Sequence, residues 1–201
     1  MFWWGVLTGF VICLVLVVLG ALALYYIFPE DLTRSQLGFI RKKQKEMKDK
    51  KARDSIRRKW PQLNDSRANW LFRVSHLSGR EFEDLMAATF QQRGYQVEIV
   101  GGPGDHSADL IARKLDEVVC VQCKCWGPSF TVGNQPIKDM VAAMRAYGAT
   151  KGILVTRTSL TKAAEDLASR MAELEVVVGP QVLDLMEEIG LSPEEGIKVG
   201  P

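Results

Sequence analysis

No charged side chain occurs between Phe2 and Phe28, and no Lys or Arg precedes Arg34. A cleaved signal peptide wants a basic start and a shorter apolar core, so that reading is set aside. Cysteine is scarce as well. Of four, Cys13 lies in the apolar start, while Cys120, Cys123 and Cys125 crowd one segment. This is not the disulfide framework of a small secreted domain, and it points to a reducing compartment. Internal repeats are lacking, and biased composition is confined to one basic stretch. The rest stays close to the globular average, which leaves no case for global disorder.

What the start of the chain does have is an apolar run in which Thr8 is the one clearly polar side chain. It exceeds the roughly 20 residues needed to cross a hydrocarbon core. Trp3 and Trp4 at one end and Tyr25 and Tyr26 at the other suit aromatic anchors at two interfaces. A buried core helix rarely runs so far without a polar face. Residues 1–29 are therefore predicted to form one transmembrane helix. All basic residues follow it, so the expectation is a single-pass inner-membrane protein with its C-terminal domain in the cytoplasm.

The net charge of +2 conceals an asymmetry. Residues 34–59 hold 12 Lys and Arg against three acids (Glu46, Asp49 and Asp54), a net +9. Residues 61–201 hold 14 against 19, a net −5. Residues 30–60 thus read as a basic cytoplasmic connector, either a solvated helix or a flexible linker. Two partners compete for it. One is anionic membrane lipid, and the other is the phosphate backbone of nucleic acid.

Pro61 and Asn64-Asp65 punctuate the end of that stretch, and a short helix follows with Trp70, Leu71 and Val74 at helical spacing. Ser78 and Glu81 make a capping-box pattern that opens a helix to about Arg93, with Phe82, Leu85, Met86 and Phe90 on one face. Strands are predicted over Tyr95–Val100, Ala108–Arg113 and Glu117–Trp126. A helix over Pro136–Tyr147 follows, then a strand at Gly152–Thr156. A helix capped by Thr161, a strand at Glu175–Val178 and a closing helix over Val182–Ile189 complete the chain. The order α-β-β-β-α-β-α-β implies a mixed sheet flanked by helices. The folded domain is assigned to residues 61–189, and residues 190–201 form a tail.

The chemistry concentrates in Asp105-His106-Ser107-Ala108-Asp109 and Val121-Gln122-Cys123-Lys124. Strand alternation points Gln122 and Lys124 to one face and Cys123 to the other. In a hairpin, Asp109 reaches the same face as Gln122 and Lys124. A carboxylate, an amide oxygen and a lysine converging there suit phosphodiester hydrolysis assisted by Mg²⁺ or Mn²⁺. The lysine would orient the attacking water and offset charge on the phosphate. The backbone carbonyl of Cys123 adds one more oxygen.

These residues resemble the PD-(D/E)xK nuclease superfamily, and within it the Mrr-like restriction endonucleases of type IV restriction. The resemblance runs from about Leu77 to Met186. It begins at Leu77-Ser78-Gly79-Arg80-Glu81-Phe82-Glu83, where the family has Gly-x-x-Phe-Glu at a helix start. It continues through Gly104–Asp109 and Val121-Gln122-Cys123-Lys124-Cys125-Trp126. Gly148-Ala149-Thr150-Lys151-Gly152, Val155-Thr156, Leu160-Thr161 and Ala164 extend it.

The resemblance implies a restriction-endonuclease-like α/β fold with an αβββαβ core, here preceded by one transmembrane helix. It makes Asp109 the principal metal ligand, Gln122 the occupant of the usual acidic position and Lys124 the catalytic lysine. Glu83 completes the site as a ligand or as a base acting through water. It also implies DNA as substrate and a defence role, cutting foreign or modified DNA. Two departures stand out: Ser107 replaces a usual glycine, and the family often has Gln at a polar position near Lys138 on the following helix.

Blander readings stand beside these. Asp109 and Lys124 also suit an ion pair across a hairpin, and Glu83 suits a helix start through the macrodipole. The three clustered cysteines do not suit zinc, since alternation sets Cys120 opposite Cys123 and Cys125. His106, Trp126, Lys151 and Arg157 are DNA-contact candidates, each with an ordinary surface or core alternative. The rival functions are a non-cleaving binding module at the membrane and a junction-specific repair nuclease. Two cuts in a duplex call for two sites, which favours a homodimer.

Overall fold

A computed structural model of the chain describes residues 30–100 and 107–192. The chain divides into two units, Met1–Asp49 and Lys50–Pro201. Helix α1 spans Glu30–Lys59. Lys, Arg, Gln and Glu dominate it, all good helix formers, and Arg57, Arg58 and Lys59 fill its last turn, where cations complement the helix dipole. Pro61 disfavours helical geometry at Trp60 and so stops it there. Within the first unit, the described side chains of α1 are almost all exposed, and Lys43 sits over the Phe39 ring at 5.3 Å.

This helix bears on the expected membrane anchor. Among the described residues no helix is long and apolar enough to cross a membrane. The one long helix is saturated with Lys and Arg, whose charges forbid a hydrocarbon environment. The expectations of a transmembrane helix as part of the fold and of an inner-membrane location are corrected accordingly. The apolar run itself, residues 1–29, lies outside the described residues.

The second unit begins within α1. Ser55, Ile56 and Trp60 are buried, all ahead of the boundary drawn at Pro61. Helix α2 (Asp65–Val74) is capped by Asn64, whose side chain accepts from the Arg67 amide. Helix α3 (Gly79–Gln92) carries the capping box read from the sequence: Ser78 accepts from Glu81 N–H and Glu81 accepts from Ser78 N–H. Strands β1 (Gln96–Ile99), β2 (Leu110–Lys114) and β3 (Glu117–Lys124) form an antiparallel meander. After β4 (Thr131–Val132) and helix α4 (Asn134–Tyr147), β5 (Lys151–Thr156) pairs parallel with β3. Then β6 (Ser159–Leu160), helix α5 (Lys162–Ala168), β7 (Leu174–Val178) and helix α6 (Pro180–Glu188) complete the unit.

The five-stranded sheet has the order β1-β2-β3-β5-β7, and β4 and β6 make a separate parallel pair. Side-chain alternation sorts the core onto two faces. Leu110, Val121 and Val155 pack with Phe82, Leu85, Met86, Leu183, Ile56 and Trp70. On the other face Ile111 and Cys120 meet Met140 and Ala143 from α4, and Leu154 meets Ile137 and the α5 alanines. This is the expected mixed sheet between helical layers.

Two glycines allow close approaches. A Cβ at Gly152 would lie 2.7 Å from Met144 Sδ and 2.8 Å from Met140 Cγ, so a side chain there would force these α4 methionines to move. At Gly179 (φ +38°) a Cβ would fall 2.2 Å from the Trp60 ring. Trp60 is therefore seated directly on the β7–α6 turn.

Candidate active site

The hairpin of β2 and β3 and the start of α3 build the site. Asp109 stands just before β2 with its backbone held on both sides. Its N–H donates to Val121 O (2.9 Å), and its carbonyl accepts from Val100 N–H (2.9 Å). Its Oδ2 accepts from the Cys123 N–H at 2.6 Å, a short charge-assisted bond. The carboxylate is thus directed at the backbone between Gln122 and Lys124.

Gln122 is fully buried. Its Nε2 donates to Ser107 O at 2.6 Å. Only the amide nitrogen can donate to a carbonyl, so Oε1 must face the other way. That oxygen is buried with no hydrogen-bond partner among the described residues. Leaving such an acceptor unpaired costs about 1–3 kcal/mol. Ser107, which supplies the carbonyl, has φ +70°. L-residues avoid this left-handed region and glycine enters it freely, which gives a physical reason for glycine at this place in the resembled family.

Glu83 is half-buried in the second turn of α3. Burial is the first cause that raises its pKa, and the charges of Asp109 and Asp84 add to it. Arg80 and Lys124 oppose the rise. Glu83, Asp109 and Lys124 therefore share one electrostatic neighbourhood. Lys124, half-buried at the end of β3, makes no ion pair among the described residues. That removes the main support for a structural Asp109–Lys124 bridge.

The cysteines do not converge. Cys120 packs on the α4 face and Cys123 in the opposite core cluster. Burial pushes the Cys120 and Cys125 thiols up to about 11 and raises Cys123 well above its ordinary value. Burial thus disfavours the thiolate form at all three.

Among the described residues no group of three or more His, Cys, Asp or Glu is placed to hold a metal ion. The donor set nevertheless fits a hard divalent cation. Mg²⁺ asks for only one or two carboxylates and takes its other oxygens from water and substrate phosphate. Asp109 offers a carboxylate, and the orphaned Gln122 oxygen is the kind of acceptor a cation would satisfy.

The DNA-contact candidates fare differently. His106 lies outside the described residues. Trp126 is exposed two residues beyond Lys124. Lys151 pairs in register with Val119, whereas Lys124 pairs with Thr156. It therefore stands about 17 Å from the site along the strand, where it bonds Glu175 at 2.5 Å.

Arg157 is 4% exposed, so it presents no surface to phosphate. Its Nη1 donates to Val74 O (3.0 Å) and Leu77 O (2.6 Å), its Nη2 to Cys125 O, and it lies over the Phe82 ring. The residue read as a DNA contact instead ties the α2–α3 loop to the end of β3. A single sequence gives no sign of which distant carbonyls a basic residue will bind.

The Mrr_cat family model, described as restriction endonuclease, matches residues 74–186. This chain belongs to that restriction endonuclease family. The membership covers every element from the end of α2 to α6, including the β2–β3 hairpin and Glu83, and supports a DNA-cleaving nuclease domain. Among solved structures, the chain is similar to the protein of unknown function AF1548, with 16% identity and a TM-score of 0.50 over 57% of this chain and 68% of that one. At that identity the likeness shows the fold. It is also similar to the DNA modification-dependent restriction endonuclease AspBHI (14%, TM-score 0.46, 72% of this chain and 36% of that one). The MspJI restriction endonuclease in complex with a 27-mer oligonucleotide is a third (18%, TM-score 0.43, 59% and 30%). The chain thus matches about a third of each of these two enzymes. No curated protein matches the sequence significantly.

Proposed function

We propose that this restriction endonuclease domain hydrolyses DNA phosphodiester bonds with Mg²⁺ or Mn²⁺, acting on foreign or modified DNA. The observation that carries the reading is the buried, unpartnered Oε1 of Gln122 beside the directed carboxylate of Asp109. Asp109, Gln122 Oε1 and the carbonyl of Cys123 would hold the cation. When bound, the ion supplies charge neutralisation at the phosphate and a more acidic water.

The chain's own residues do the rest. Asp109 keeps its orientation through the Cys123 amide. Gln122 is aimed by the Ser107 carbonyl. Lys124, which makes no ion pair among the described residues, orients the attacking water and offsets charge developing on the phosphate oxygens. Glu83, with its raised pKa, accepts a proton from that water more readily than an ordinary glutamate. Two cuts in one duplex would bring two chains together on the DNA.

The test is plasmid cleavage by the purified full chain with Mg²⁺ or Mn²⁺, on methylated and unmethylated DNA in parallel. Nicking or linearisation should vanish in EDTA and fall at least about 100-fold in Asp109→Ala and Lys124→Ala. A folded protein that binds DNA and cuts none of these substrates would instead be a non-cleaving binding module.

A further inference from the structure

The five residues after Cys125, Trp126-Gly127-Pro128-Ser129-Phe130, are neither helix nor strand. Irregular surface segments are usually mobile. Here the backbone is held almost carbonyl by carbonyl. Thr156 Oγ1 donates to Lys124 O (2.9 Å), and Arg157 donates to Cys125 O. Phe130 N–H closes a turn onto Gly127 O (3.0 Å). Ser55 Oγ donates to Pro128 O (2.7 Å), and Lys59 Nζ and Thr158 Oγ1 both reach Phe130 O at 2.5 Å. Ser55, Thr156, Arg157 and Thr158 are themselves buried. The segment is a rigid shelf fastened to the core.

On that shelf the two aromatic side chains point outward: Trp126 is 44% and Phe130 64% exposed. Neither fills the core it is fastened to. A held backbone that presents large aromatic surfaces is pre-organised for a flat apolar ligand, because rings with two torsions lose little freedom on binding. The shelf follows directly from Lys124. Two residues of chain reach at most about 7 Å, so Trp126 stands within about two nucleotide steps of Lys124 at about 3.4 Å per strand.

We propose that Trp126 and Phe130 form a stacking platform for the nucleobases of the DNA next to the phosphate held at the hairpin. The ligand class is a base pair opened, or a base step unstacked, beside the cleavage site. Aromatic faces accept any base by stacking, and apolar side chains that enter a base step kink the duplex. Phe130 carries half of this platform. The inference rests on the nuclease reading, since that reading places DNA at the hairpin.

The test uses the full chain carrying Lys124→Ala, which keeps DNA intact, and a fluorescein-labelled duplex read by anisotropy across a salt series. Short duplexes with 2-aminopurine at successive positions report unstacking. Phe130→Ala and Trp126→Ala should each weaken binding about tenfold. The slope of log K against log salt should stay unchanged, because no phosphate contact is lost. Phe130→Trp should restore affinity, and the 2-aminopurine brightening seen with the parent should disappear in the alanine variants.

Unchanged affinity in both alanine variants overturns the platform and leaves the nuclease reading standing. So does a loss that comes with a shallower salt slope or a lower Tm, which marks a phosphate contact or a structural role. If the Lys124→Ala parent binds DNA but the native chain cuts none with either Mg²⁺ or Mn²⁺, the nuclease reading fails, and the platform is still judged by the binding series. A parent that binds no DNA at any salt concentration overturns both.

Discussion

The carboxyl of Glu83 holds its proton more tightly than an ordinary glutamate. Burial strips water from the charged form, and Asp109 and Asp84 repel a further negative charge. The sign of the consequence follows from linkage. A group whose pKa is raised in the folded state favours folding at acid pH and loses that contribution as pH rises through the folded value. Ionised Glu83 is therefore a stability burden near neutrality, of the kind an enzyme tolerates where a carboxylate is needed for chemistry. In EDTA, Glu83→Gln should match or exceed the native chain in Tm at pH 7, with the advantage shrinking towards pH 4. With divalent ion present, cleavage should fall about 100-fold or more. A variant less stable at neutral than at acid pH, relative to native, would show that Glu83 is a structural acid.

At this scale the site was partly legible. Alternation identifies Gln122 and Lys124 as partners on one side of β3, and hairpin register brings Asp109 beside them. The unpaired amide oxygen was not legible. It depends on Ser107 entering the left-handed region and offering its carbonyl, which residue spacing does not encode.

Between elements, the decisive connection is Arg157. It leaves β5 directly after Thr156, passes beneath the α2–α3 loop and binds carbonyls at Val74, Leu77 and Cys125. Burial lowers its pKa, opposed by Cys125, and no carboxylate partners it among the described residues. Three carbonyls and the Phe82 ring face this buried cation, and its Nε has no hydrogen-bond partner among the described residues. Arg157→Met fills similar volume and leaves three carbonyls without this donor. It should destabilise the fold by about 3–5 kcal/mol, read as a lower urea midpoint, and Arg157→Lys should lose less. A midpoint unchanged in Arg157→Met would mean that water serves those carbonyls equally well. Elements themselves were easier to foresee than such ties. The caps at Ser78 and Thr161 are local and place their helix starts correctly. The two-residue strands β4 and β6 are too short to show a period, and α5 stops at Ala168, earlier than the expected Glu173.

For the molecule as a whole, the question is where the nuclease domain begins. Charge composition assigns residues 30–60 to a connector, and the family match starts only at residue 74. Packing says otherwise. Ile56 is 1% exposed and joins the core beneath α3 and α6. Trp60 fits against Gly179 so closely that no Cβ could stand there. Ser55 and Lys59 fasten the segment that follows β3. Charge misled because Lys and Arg occupy the exposed positions of the same turns that bury Ser55 and Ile56, and a net count averages the two faces. Deleting a buried Ile or Trp side chain costs about 2–5 kcal/mol each, against a total stability of about 5–15 kcal/mol for a typical domain. A fragment starting at Lys50 should therefore unfold cooperatively in urea. One starting at Pro61 should lose most of its stability and show no sharp transition. Equal midpoints for the two would demote the end of α1 to a passive linker and remove the support it gives the Trp126–Phe130 shelf.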